Sequence, residues 1–154
     1  MKNISLQELY APHGICFGCG CKNKNGLQIK SFVDNNFIVS KWRAEEHHQA
    51  FPGVLNGGII GSILDCHCNW AAAYFLMKDQ QLKTTPCTVT AEYTIKLKRP
   101  TPFDALLSLS AKLINIKNNV ATIEASLIAE NNVCATCTGT FVSVGPTHPA
   151  YHRW

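Results

Sequence analysis

No block of like charge and no long uninterrupted apolar run marks this sequence. Fourteen basic and ten acidic side chains leave a net charge of only +4, scattered along the chain. So mild a balance argues against a nucleic-acid binder working through a basic face, and is compatible with a small polyanionic ligand. The longest apolar candidate, Ile59 to Met77, is interrupted by Asp65, His67 and Asn69, so no membrane span is expected. Met1 to Tyr10 carries one lysine and no apolar core of the kind a secretory leader needs. The expectation is a cytoplasmic protein with neither membrane nor nucleic acid among its partners. With 46% hydrophobic and 16% charged residues, long disorder, collagen and coiled coil are excluded. The 154 residues suffice for one domain with its own core.

Eight cysteines are the compositional surplus. In a cytoplasmic chain they are expected to stay reduced. Cys16 and Cys19 form a CxxC with Cys21 close by, Cys66 and Cys68 flank His67, and Cys134 and Cys137 lie three apart. A strand would turn the last two to opposite faces. A structural zinc site ordinarily takes two CxxC knuckles, and only one is present. The sequence therefore predicts no bound metal, no disulfide needed for folding, and thiols that are buried or idle.

Period-two alternation is the clearest pattern. From Val89 to Lys98, the apolar Val89, Ala91, Tyr93, Ile95 and Leu97 alternate with Thr90, Glu92, Thr94, Lys96 and Lys98, which predicts a strand with one buried face. Leu107 to Leu113, Ala121 to Ala129 and Val133 to Val144 repeat it, and Leu27 to Val33 and Phe37 to Arg43 form an earlier pair. The pairs Asn35-Asn36, Asn118-Asn119 and Asn131-Asn132 predict hairpin turns, because asparagine tolerates left-handed backbone. Gly57 to about Met77 breaks the rhythm: it is apolar on nearly every side, as a buried helix is. Gly61, Asp65, Cys68 and Ala72 give it a stripe of small residues. The expected order is two strands, a helix and four strands, one domain over residues 1–154. Its core spans about 25–144, with a cysteine-containing extension over 1–24 and a loose tail over 146–154.

Asp65, a carboxylate within this apolar helix, is the most informative residue, since desolvation favours its use as a base or nucleophile. Ahead of it, Asn56-Gly57-Gly58 opens the helix where backbone N–H groups lack intrahelical partners and can hold an oxyanion. His67, about 200° around the helix from Asp65, reads as a hydrogen-bonded core histidine.

The stretch from Phe51 to Ala73 resembles the signature of the hotdog-fold, PaaI-like thioesterases of the phenylacetate-pathway type. There a loop ending His-Gly-Gly opens the long helix, and an acid follows eight residues after the first glycine. Cys16-Phe17-Gly18-Cys19-Gly20 followed by Asn25-Gly26-Leu27 is similar to an N-terminal element of one branch of that group, so the resemblance spans roughly residues 15–144. It implies an α+β hotdog fold, with an antiparallel curled six-stranded sheet wrapped around one long helix. It implies an acyl-coenzyme A thioesterase with Asp65 as the catalytic acid and Gly57 as the oxyanion donor. Asn56 stands where the family has histidine. Gln49 and His48 fall near the loop amide or histidine, and Thr90 near the hydroxyl that holds the attacking water. Gly58, Asn115, Lys117, Asn118 and Arg99 are the expected substrate contacts. No metal or redox cofactor is implied, coenzyme A being part of the substrate.

Gly57 and Asp65 lie about 12 Å apart along a helix. If both act on one thioester, they come from different subunits, which predicts a homodimer or a dimer of dimers. The alternative is a non-catalytic acyl-coenzyme A binding or regulatory protein, suggested by Asn56 in place of histidine.

Overall fold

Three turns set the strand connections. Asn35 (φ 52°), Asn118 (φ 56°) and Asn131 (φ 64°) all take left-handed backbone. They join β1 (Phe32–Asp34) to β2 (Phe37–Trp42), β6 (Leu107–Lys117) to β7 (Val120–Ala129), and β7 to β8 (Asn132–Ser143). The third turn is built on Glu130 and Asn131, one residue earlier than expected. Asn132 already belongs to β8, its Nδ2 donating to Glu130 O at 3.0 Å.

The computed structural model describes residues 4–152. A short helix α1 (Leu6–Tyr10) comes first. A small hairpin of β3 (Gln49–Phe51) and β4 (Val54–Leu55) precedes the long helix α2 (Gly57–Asp79), and β5 (Thr88–Leu97) follows it. The main sheet is antiparallel with order β1-β2-β6-β7-β8-β5, so β5 and β1 form its edges. Residues 1–3 of the expected extension and 153–154 of the expected tail lie outside the described residues.

Helix α2 packs on the concave face of this sheet. Ile63, Leu64 and Leu76 are wholly buried there against Leu107, Leu109, Ile123, Leu127 and Phe141. Truncating one of these side chains to alanine costs about 2–5 kcal/mol, because the cavity left behind collapses only in part. His67 is wholly buried, as expected. Its Nε2 donates to Ile38 O (2.9 Å), and its Nδ1 accepts from Ser31 Oγ (2.9 Å). Ser31 in turn bonds the Gln7 amide through both backbone and side chain. One buried polar chain thus ties α1, α2 and β2 together.

Four expectations need correction. Leu27 to Ser31 is buried in part but is not strand, because Leu27 N and Ile29 N donate to Phe17 O (2.7 Å) and Gly18 O (3.0 Å) of the cysteine loop instead of to a sheet neighbour. The alternation along β5 is interrupted by a register shift between Thr90 and Glu92. The extra residue reverses the facing, so Thr90 joins Tyr93 and Leu97 on the side of α2. A Cβ on Gly57 would meet Leu97 at 3.2 Å and one on Gly61 would meet Tyr93 at 4.0 Å. The small-residue line of the helix is therefore Gly57, Gly61 and Asp65 against this chain's own β5, while Cys68 and Ala72 are buried in the core. The tail, finally, is tied back near its end, where His152 N donates to Cys87 Sγ (3.0 Å).

Candidate active site

Asp65 is half-buried two turns into α2. Thr90 Oγ1 donates to its Oδ1 at 2.6 Å, a bond that exists because the β5 bulge turns Thr90 inward. Burial pushes the Asp65 carboxyl up from its ordinary range, and the Thr90 hydroxyl pulls it down. Among the described residues no cation pairs with it. Asp65 opens onto a cavity of about 140 Å³ whose other walls include Cys16, Cys19, Cys66, Asn69 and Trp70. Asn69, one turn beyond Asp65, went unread in the sequence, although its i+4 spacing could have revealed it. Its Nδ2 donates weakly to Thr88 O (3.4 Å), and its buried Oδ1 has no partner among the described residues.

At the start of α2, Asn56 is the helix cap. Its Oδ1 accepts from Gly58 N (2.8 Å) and Ile59 N (3.2 Å), and its carbonyl accepts from Ile60 N (3.2 Å). Of the four orphan donors of a first turn, only Gly57 N–H then has no bond among the described residues. Gly57 lines a second cavity of about 400 Å³ with Phe51, Val54, Leu97 and Arg99. The two cavities belong to different stretches of one helix, Gly57 facing Leu97 and Asp65 facing Thr90.

The remaining expected residues separate. Gly58 N–H is consumed by the cap. Gln49 braces its own loop, Oε1 accepting from Gly53 N (2.7 Å) and Nε2 donating to Glu46 O (2.8 Å). His48 is buried and stacked on Trp42, and its Nδ1 accepts from Glu45 N (2.9 Å). Desolvation and the neighbouring His47 hold its pKa low, against the pull of Glu45. Arg99 lies by the Gly57 cavity. Asn115, Lys117 and Asn118 line neither cavity. Their hairpin reaches the far end of the sheet, where Asn119 bonds Ser143, itself opposite Thr88. Leu97 is nine residues along β5 from Thr88, about 30 Å of strand, so one chain does not place Lys117 and Arg99 on the same small ligand.

The cysteines also regroup. Cys16, Cys19 and Cys66 bring their Sγ atoms within 4.8 Å of one another, whereas Cys68 and Cys137 meet inside the core. The sequence shows the CxxC but not that the helix supplies a third thiol.

A curled antiparallel sheet around one helix, with a half-buried helix carboxylate and an open N–H at the helix start, is the hotdog architecture. The chain belongs to the thioesterase superfamily, whose family model matches residues 52–136, and it is a thioesterase with a PaaI-like fold. A thioesterase superfamily protein from Shewanella loihica PV-4 is 26% identical, with 76% of this chain and 91% of that one covered at a TM-score of 0.64. The Escherichia coli PaaI protein of the phenylacetic acid degradation operon shares the fold at 16% identity, covering 77% of this chain and 81% of its own (TM-score 0.65). The phenylacetic acid degradation protein PaaI from Thermus thermophilus, solved as a point mutant, does so at 18% identity, covering 77% and 95% (TM-score 0.62). No curated protein matches this chain in sequence.

Proposed function

We propose that the protein hydrolyses an acyl-coenzyme A thioester at a site shared between two subunits, with Asp65 from one and Gly57 from the other. The observation that carries this reading is the disposition of the Asp65 carboxylate. One oxygen is fixed by Thr90 at 2.6 Å, the other has no bond among the described residues, and no cation neutralises it. A carboxylate so held can accept a proton from water while its orientation stays fixed.

In the proposed step, water oxygen attacks the thioester carbonyl carbon as Asp65 takes the water proton. The carbonyl oxygen becomes an oxyanion facing Gly57 N–H, the donor left over by the Asn56 cap. Collapse breaks the carbon–sulfur bond; the thiolate leaves and takes up the proton, giving free acid and coenzyme A. On this reading Arg99, which lines the Gly57 cavity, meets the coenzyme's phosphates, and Lys117 would have to come from a neighbouring subunit. The test is turnover across a panel of acyl-coenzyme A esters. Hydrolysis by the native protein and its loss in Asp65→Asn with binding retained support the reading. Tight binding without any turnover by the native protein would select the regulatory alternative.

A further inference from the structure

We propose that Cys16, Cys19 and Cys66 form a three-thiolate site for a zinc-class, thiophilic d10 cation, with its fourth coordination position open to the Asp65 cavity. The three Sγ atoms lie within 4.8 Å of one another, and Cys16 and Cys66 are 3.6 Å apart. A tetrahedral ion with metal–sulfur bonds of about 2.3 Å separates its sulfurs by about 3.8 Å, so this spacing is that of a coordination edge. A disulfide needs about 2.05 Å, joins only two sulfurs, and leaves no role for a third thiol within the same 4.8 Å.

The loop is shaped for the purpose. Gly20 N donates to Cys16 O at 2.8 Å, which closes the stretch from Cys16 to Cys19 into a turn. A Cβ on Gly18 would run into Cys66 Sγ, so glycine is what lets the knuckle close on helix α2. Trp70 Nε1, one helical turn beyond Cys66, donates to Cys19 Sγ at 3.3 Å, an outer partner of the kind that orients ligands. Cys21 is not part of the group, since its Sγ accepts from Lys30 Nζ at 3.1 Å. The Asp65 cavity is walled by Cys16, Cys19 and Cys66 alike, so the open vertex faces it. An ion here would pin the N-terminal loop to α2 and fix that wall.

Binding converts the thiols to thiolates and releases their protons to solvent, with no change of oxidation state, so affinity should rise with pH. The test titrates reduced, chelator-treated protein with Zn²⁺ and, separately, with Co²⁺. Expected are one ion per chain, tetrahedral d–d bands, and a near-ultraviolet sulfur-to-cobalt band with the intensity of three thiolates. Loss of an outer partner alone weakens metal sites about 10–100-fold, so Cys66→Ser should weaken binding at least about 100-fold. Cys16→Ser, at an exposed position that does not threaten folding, should do the same, while Cys21→Ser leaves affinity unchanged. Asp65→Asn should keep the ion, which lets this proposal and the hydrolytic one fail separately. Absence of the thiolate band, affinity indifferent to Cys66→Ser, or a Cys16–Cys19 disulfide in protein that takes up no metal would each overturn it.

Discussion

Asp65 and Asn56 sit at the same helix, and each is bonded through one side-chain oxygen, with opposite consequences. The Asp65 oxygen accepts from Thr90 and leaves its other oxygen open. The Asn56 oxygen is saturated by two backbone donors, which isolates Gly57 N–H as the open group. Asp65→Asn keeps shape and removes the charge, so it should preserve folding, yet thioester hydrolysis should fall about 10²-fold or more, the scale of a lost general base. Steady-state kinetics beside a melting curve separates the two effects; wild-type turnover would refute the assignment. Asn56→Ala removes the cap and should cost about 1 kcal/mol of stability, read by urea unfolding. Asn56→His should lose part of that stability too, and a gain in activity despite it would show that the family's histidine does more than hold the loop.

At the scale of elements, what was legible was local. The helix, a long stretch apolar on nearly every side, the period-two runs of β6, β7 and β8, and two of the three asparagine turns declare themselves in the local sequence pattern. Ser5-Leu6-Gln7-Glu8 also spells a capping box, a signal that could have revealed α1. The bulge in β5 carries no such sign: one extra residue between Thr90 and Glu92 turns Thr90 inward, and only pairing with β8 makes it visible. Cys66 was illegible as a partner of Cys16 because fifty residues separate them and packing alone joins them. The buried Gln7–Ser31–His67 chain holds α1, α2 and β2 in one unit, and it makes stability depend on pH. Desolvation lowers the His67 pKa from 6.5 to about 4 in the fold. Between those values the unfolded chain binds a proton that the folded chain refuses, so stability is full above pH 6.5 and falls as pH drops toward 4. Urea unfolding at pH 5 should give about 2 kcal/mol less than at pH 7 from this group, and His67→Gln should flatten that slope. An unchanged slope in the variant would assign the acid sensitivity elsewhere.

At the scale of the whole molecule, the proposed mechanism needs more than one chain. A single chain's sheet ends at β5, where Tyr93 is 42% and Leu97 57% exposed, and its two reactive features open into separate cavities along one helix. A second copy set against this edge would cover the apolar side chains and bring Asp65 of one subunit toward Gly57 of its neighbour, giving two equivalent sites. Tyr93→Glu with Leu97→Glu should therefore yield a folded monomer without turnover, seen by sedimentation and circular dichroism. Complementation is the stricter test. Gly57→Pro deletes the proposed donor at the one helical position where proline is tolerated, and Asn56, at φ −64° and ψ 133°, already has the extended backbone that a residue before proline needs. Gly57→Pro and Asp65→Asn should each be inactive alone. In a mixed dimer one site carries both lesions and the other carries none, since native Gly57 from one chain meets native Asp65 from the other. After dissociation and random reassociation of equal amounts, half the dimers are mixed and each has one of its two sites intact. Activity should then return to about one quarter of the native value. If both groups instead served a site within one chain, every site would keep one lesion, and the mixture would stay as inactive as its parts.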